Sequence, residues 1–150
     1  MNPEKPTPSS ASRPKTAAEV GAQHRDEHRE LESTLKDLHR RAHSGHWADL
    51  NEVWSGFCAA FDSHMKAEED DVFPAYLRDH PTPEAEAKIA ALVREHQELR
   101  TLVEAIAMEI QLHEIRASSV DQFIAKNRQH AIVETQLFYP WMDVLGPSAL

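Results

Sequence analysis

Apolar positions along this chain recur at alternating steps of three and four, the spacing that lines one face of a helix. The first stripe is Ala17, Val20, His24, His28, Leu31, Leu35, Leu38 and Ala42. It predicts a helix that starts at the capping-box pair Thr16 and Glu19 and stops at Gly45. A second stripe, Leu50, Trp54, Phe57, Phe61, His64, Glu68 and Val72, predicts a helix from about Trp47 to Phe73, closed by Pro74. Thr82 and Pro83 read as the cap and first residue of a third helix, reaching about Ile115. Its inward positions are Ile89, Leu92, His96, Leu99, Val103, Ile106 and Ile110. Ser118 and Ser119 precede a fourth helix, about Val120 to Tyr139, with Val120, Phe123, Asn127, His130, Glu134, Leu137 and Trp141 facing in. Four amphipathic helices joined by short loops predict an all-α fold, an up-down-up-down four-helix bundle.

The two halves of the chain say the same thing. Glu27-His28-Arg29-Glu30-Leu31 matches Glu95-His96-Gln97-Glu98-Leu99. His64 and Glu68 stand four residues apart, as do His130 and Glu134, so each pair shares one helix face. Each pair runs on to an apolar residue, an aromatic and a proline: Val72-Phe73-Pro74 and Phe138-Tyr139-Pro140. The lone His precedes the paired His by 36 residues in one half and 34 in the other. The bundle is therefore expected to be two similar helical hairpins, each with one lone His and one His/Glu pair.

Six polar residues thus sit on stripes that should be buried: His28, His64, Glu68, His96, His130 and Glu134. A single His on an apolar stripe is ordinarily a hydrogen-bonded core residue, and a single His/Glu pair arises by chance. A matched set of six is another matter. Two buried carboxylates with no Lys or Arg on the same stripes need cations, because an unpaired buried charge costs several kcal/mol. Four imidazoles and two carboxylates suit borderline divalent metals such as iron, manganese or zinc. Six ligands exceed one tetrahedral zinc and suit two metals about 3.5–4 Å apart, with both Glu bridging.

Composition narrows the classes further. The chain has 150 residues, enough for one domain with a real core, and a net charge of −9 that argues against nucleic acid and anionic membranes. Its single cysteine, Cys58, excludes an internal disulfide and fits a reducing compartment. No apolar run nears the roughly 20 residues that span a bilayer, and no signal-peptide core is evident, so a cytoplasmic location is expected. Residues 1–15 carry four prolines and read as a disordered tail, residues 16–143 as the bundle and residues 144–150 as a C-terminal tail. Glu69, Asp70 and Asp71 read as a solvated acidic face, and His39, His43, His46, His80 and His113 as surface residues. Cys58 reads as a buried thiol. Trp54, Phe57, Phe61 and Phe123 read as core and as a dry wall beside the site, and Asn127 as a polar layer near it. There is no nucleophile triad, phosphate loop or basic stripe.

The combination of His28, His64/Glu68, His96 and His130/Glu134, with the Phe73-Pro74 and Tyr139-Pro140 endings, resembles the hemerythrin-like (HHE cation-binding) domain family over about residues 16–143. The resemblance implies a non-haem di-iron centre, oxo- or hydroxo-bridged, with an open position for O2. By the same resemblance His28 and His64 serve one iron, His96 and His130 the other, and Glu68 and Glu134 bridge. The implied ligand is O2, NO or peroxide, bound for sensing, storage or delivery. The alternatives are a di-iron enzyme acting on peroxide or NO, and an iron-handling or structural metal protein. The chain departs from the family's oxygen carriers at Leu92, where those have a fifth His, and at Glu134, where they have Asp. His24, one turn before His28, is the candidate to supply that fifth ligand or to line the pocket.

Overall fold

The computed structural model describes residues 17–45 and 49–144. The expected tails, the Thr16 cap, the Trp47 start and His46 lie outside them, except that Val144 ends a helix. The elements in order are α1 (Ala17–Ser44), α2 (Leu50–Ala67), a π-helical turn (Glu68–Val72), α3 (Phe73–Asp79), α4 (Pro83–Gln111) and α5 (Ala117–Val144). Backbone angles stay helical from α2 through the π turn into α3, so this arm is one continuous rod. Among the described residues there are no strands, and no helix is long and apolar enough to cross a membrane. Helix α1 packs on α2 and α5, and α4 packs on the same two, which closes a ring of four.

The helix ends follow local chemistry. Gly45 adopts φ 70 and stops α1. Thr82 caps α4: its Oγ1 accepts the Ala85 N–H at 3.1 Å, and Pro83 follows with no N–H to satisfy. Pro74, expected to close the second helix, does not, and the chain stays helical to Asp79. The reason lies in the π turn. The Phe73 N–H reaches back five residues to Glu68 O, and the widened turn feeds Pro74 into the first turn of α3, where its missing N–H leaves no gap. Pro140, the matching residue, lies inside α5, which continues past the expected Tyr139. Helix α4 stops at Gln111 rather than Ile115, because His113 takes φ 54 and Glu114 N–H bonds Glu109 O at 2.9 Å. Helix α5 starts at Ala117, before the two serines, because Glu109 caps it from α4. The Glu109 carboxylate accepts from the Arg116 N–H at 3.0 Å and from Ser119 Oγ at 2.7 Å.

The core comes in two apolar clusters. One gathers Leu31, Leu35, Leu38, Trp54, Phe57, Phe61, Leu99, Ile106, Phe123 and their neighbours. The other gathers Val72, Phe73, Tyr76, Ile89, Leu92, Phe138, Trp141 and Met142. The α2–α3 arm, α4 and α5 each pass from the first cluster to the second through buried His or Glu positions, while α1 supplies residues to the first cluster and then His28 and His24. The polar layer therefore sits between two dry plugs. Leu137 and Val103, expected inward, are only half-buried, while Phe138 beside Leu137 is fully enclosed.

Candidate metal centre

Helix periodicity delivers the predicted residues to one place. His24 and His28 come from α1, His64 from the end of α2, Glu68 from the first position of the π turn, His96 from α4, and His130 and Glu134 from α5. All but His28 are buried, and Glu68, His96 and Glu134 expose 1% or less of their surface. The Nε2 atoms point inward onto the two carboxylates. Glu68 Oε1 lies 3.0 Å from His24, 3.0 Å from His64 and 3.8 Å from His28, while Glu68 Oε2 lies 3.2 Å from His96. Glu134 Oε1 lies 2.8 Å from His130 and 3.5 Å from His96, and its Oε2 lies 3.5 Å from His28. Each carboxylate thus divides its oxygens between two sets of imidazoles. The first set is His24, His28 and His64, and the second is His96 and His130. Within each set, taken with both Glu, the ligand atoms all lie within 4.8 Å of one another, close enough to hold a metal ion. His24 joins His28 and His64, with its ring stacked on His64 at 4.7 Å. Leu92 lies in the second apolar cluster.

The outer ring nitrogens are also partnered. His64 Nδ1 pairs with Glu27 Oε2 at 2.8 Å, His130 Nδ1 with Glu95 Oε2 at 2.7 Å, and His96 Nδ1 with Glu69 Oε1 at 2.7 Å. His28 Nδ1 instead meets the Tyr139 hydroxyl at 3.3 Å. Glu27 and Glu95 each stand just before a lone His and each orient the paired His of their own half, so the duplication extends to the supporting carboxylates. Sequence reasoning missed both, although the matched Glu-His dipeptides were visible. Glu69, expected to be solvated, is half-buried and accepts from both His96 and Arg100 Nη1, the latter at 2.9 Å. Its flank of the π turn faces α4, which brings those donors within reach. Asp70 and Asp71 are exposed as expected, Asp70 paired with Lys66 at 2.7 Å. His39, His43 and His113 are exposed, whereas His80 is half-buried and stacked on Tyr76, away from the site. Cys58 is half-buried, and burial lifts its thiol to about 11. Asn127 is half-buried on a cavity wall.

Whether these residues suit a cation can be tested on their own hydrogen bonds. A neutral imidazole that donates Nδ1–H to a carboxylate presents a lone pair at Nε2. His96 and His130 both do so, yet their Nε2 atoms face each other at 3.0 Å. Two lone pairs at that distance repel unless a proton or a metal lies beside them. In addition, His24 Nε2, His64 Nε2, both Glu68 oxygens and Glu134 Oε1 are buried with no hydrogen-bond partner, despite their short contacts. Such atoms are costly to bury unless something else satisfies them. A metal set between the imidazoles and the carboxylates meets every one of these demands, so the donor set fits.

Without a cation the cluster holds itself together by protons. Burial alone would raise the Glu68 carboxyl, but the histidines around it hold it well below the usual range. Burial and the neighbouring Glu68 charge push Glu134 up, and His130, His28 and His96 outweigh them and hold it down. Burial disfavours the His64 and His96 imidazolium ions. Hydrogen bonds lift them nonetheless, to about 10 for His64, through Glu27 and Glu68, and to about 9 for His96, through Glu134 and Glu68.

A cavity of about 670 Å³ opens between α1 and α5. Its inner end touches His28, His64, Glu68, His130 and Glu134, its wall includes Phe61, Met65 and Asn127, and its mouth carries exposed Lys36 and Arg128. Arg128 spans the mouth to Glu32 at 2.6 Å. Sequence periodicity gives no sign of this opening.

The hemerythrin HHE cation-binding domain model matches residues 22–142, most of the chain. No curated protein and no solved structure matches it. With the match covering both hairpins and all the clustered His and Glu residues, the chain belongs to the hemerythrin HHE cation-binding domain family.

Proposed function

We propose that this is a non-haem di-iron protein that binds O2 or a related small ligand, NO or peroxide, at a carboxylate-bridged centre. The observation that carries the reading is the division of oxygens on Glu68 and Glu134 between two sets of imidazoles, the arrangement a bridging carboxylate needs. His24, His28 and His64 would hold one iron, and His96 and His130 the other. The sets are unequal, three imidazoles against two, so an open position for a ligand would fall on the second iron. Bound ferrous iron would supply electrons and that open position to a ligand. The chain's own part is to orient the imidazoles through Glu27, Glu95 and Glu69, balance charge with Glu68 and Glu134, and line the approach to the centre with the apolar Phe61 and Met65. Reversible binding of this kind would serve sensing or storage.

A second reading, turnover of peroxide or NO, is favoured by two observations. The cavity is far larger than a diatomic molecule, and the Tyr139 hydroxyl beside His28 can hold or pass a proton. One experiment separates the readings. Protein purified anaerobically has its metals counted and is then exposed to air and to argon while its visible absorption is followed. A band that rises in air and vanishes under argon is expected for reversible binding. Irreversible oxidation on first exposure assigns the centre to turnover, and a colourless protein that holds only zinc contradicts both.

A further inference from the structure

We propose that His39, His43 and Asp121 form a second metal site on the surface, for a zinc-type divalent ion that fastens α1 to α5. The two histidines are four residues apart on α1, and their rings lie 4.4 Å apart on one face. Asp121, in the first turns of α5, stands opposite them. His43 Nε2 lies 2.9 and 3.0 Å from the two Asp121 oxygens, and His39 Nε2 lies 3.4 Å from Oδ1. The three ligand atoms fall within 4.8 Å of one another. Around a tetrahedral zinc with bonds of about 2.0–2.2 Å, neighbouring ligand atoms stand about 3.3–3.6 Å apart. The His39–Asp121 separation already lies in that range, and the His43–Asp121 separation needs to open by only a few tenths of an ångström. Two imidazoles and one carboxylate are the ligand chemistry of zinc and its borderline neighbours.

The surroundings suit an exchangeable ion rather than a buried one. The side chains are 53% (His39), 48% (His43) and 42% (Asp121) exposed, so an ion can enter and water can complete the coordination. The site is separate from the buried centre: His39 is eleven residues past His28 on α1, about 16 Å along the axis. A metal here would join the two helices further along the seam that holds the cavity, since Glu32 and Lys36 share a face of α1 with His39 and His43, and Arg128 shares a face of α5 with Asp121. The same three residues could stand as a metal-free hydrogen-bonded triad, and zinc uptake separates the two. The proposal does not depend on the di-iron reading.

The test uses the full chain with its buried centre filled with iron. It is equilibrated with zinc and desalted, and iron and zinc are counted together by elemental analysis. One zinc per chain is expected with iron unchanged, together with a rise in melting temperature. A His39→Ala/His43→Ala double variant and Asp121→Asn should each lose both the zinc and the rise. Asp121→Glu, which keeps the carboxylate, should retain zinc. These positions are exposed, and circular dichroism checks that the variants stay helical. Wild-type protein that keeps no zinc, variants that keep as much as wild type, or zinc gained only as iron is lost would each overturn the proposal.

Discussion

At the scale of the residue, the centre depends on which atom of each side chain faces inward. Three of the inward imidazoles are aimed by a carboxylate on the opposite nitrogen, Glu27 on His64, Glu95 on His130 and Glu69 on His96. Such partners fix the tautomer and raise ligand basicity, and their loss typically costs 10–100-fold in metal affinity. Glu27→Gln and Glu95→Gln should therefore each weaken metal binding by about that factor, measured by chelator competition, while helix content stays unchanged. An affinity unchanged within twofold would mean these carboxylates do not orient the site. The candidate ligands themselves were legible in the sequence, because a His or Glu on an apolar stripe has no reason to be there without a partner. The supporting carboxylates were not, since Glu27, Glu69 and Glu95 lie just off the stripe and look like solvent-facing residues until a neighbouring helix is placed beside them.

At the scale of the element, ends are set by single residues. Thr82 holds the first turn of α4 through one hydrogen bond to the Ala85 N–H. Thr82→Ala should cost about 1 kcal/mol of stability in denaturant unfolding, and Thr82→Ser should restore most of it. An unchanged midpoint for Thr82→Ala would show that Pro83 alone fixes the start. This end was legible because Thr-Pro is a strong start signal. The end of α4 was not, because His113 takes the left-handed position that a glycine usually marks. The start of α5 was hidden for a different reason: its cap, Glu109, comes from another helix. Pro74 misled for a third. Proline stops an α-helix, but a π turn placed just before it leaves the proline at a fresh helix start. That turn begins on Glu68, so the backbone irregularity falls on a residue of the centre itself.

At the scale of the whole molecule, two apolar clusters clamp a charged layer, and the layer must be neutralised from within. In metal-free protein the raised His64 and His96 contribute stability that is fully present below their ordinary value of 6.5 and is lost as pH climbs through about 9 to 10. The depressed Glu68 and Glu134 contribute stability that is present above their ordinary 4.5 and is lost as pH falls below it. Chelated protein should thus melt at its highest temperature between those limits and lose ground steadily from pH 6.5 to 10. Metal-loaded protein should change less over the same range, since the metal replaces the protons. A chelated protein whose melting temperature stays flat to pH 10 would contradict the protonated cluster. The bundle class, the duplication and the layer's position were all readable from periodicity, which reports what each helix buries. The cavity between α1 and α5 was not, because it depends on how two helices sit against each other. The most direct test of the central claim is metal content after anaerobic reconstitution with ferrous iron, for wild type beside Glu68→Ala. The account predicts two irons per wild-type chain and one or none in the variant. A wild type that holds a single metal, or a variant that keeps both irons, would contradict the bridged pair.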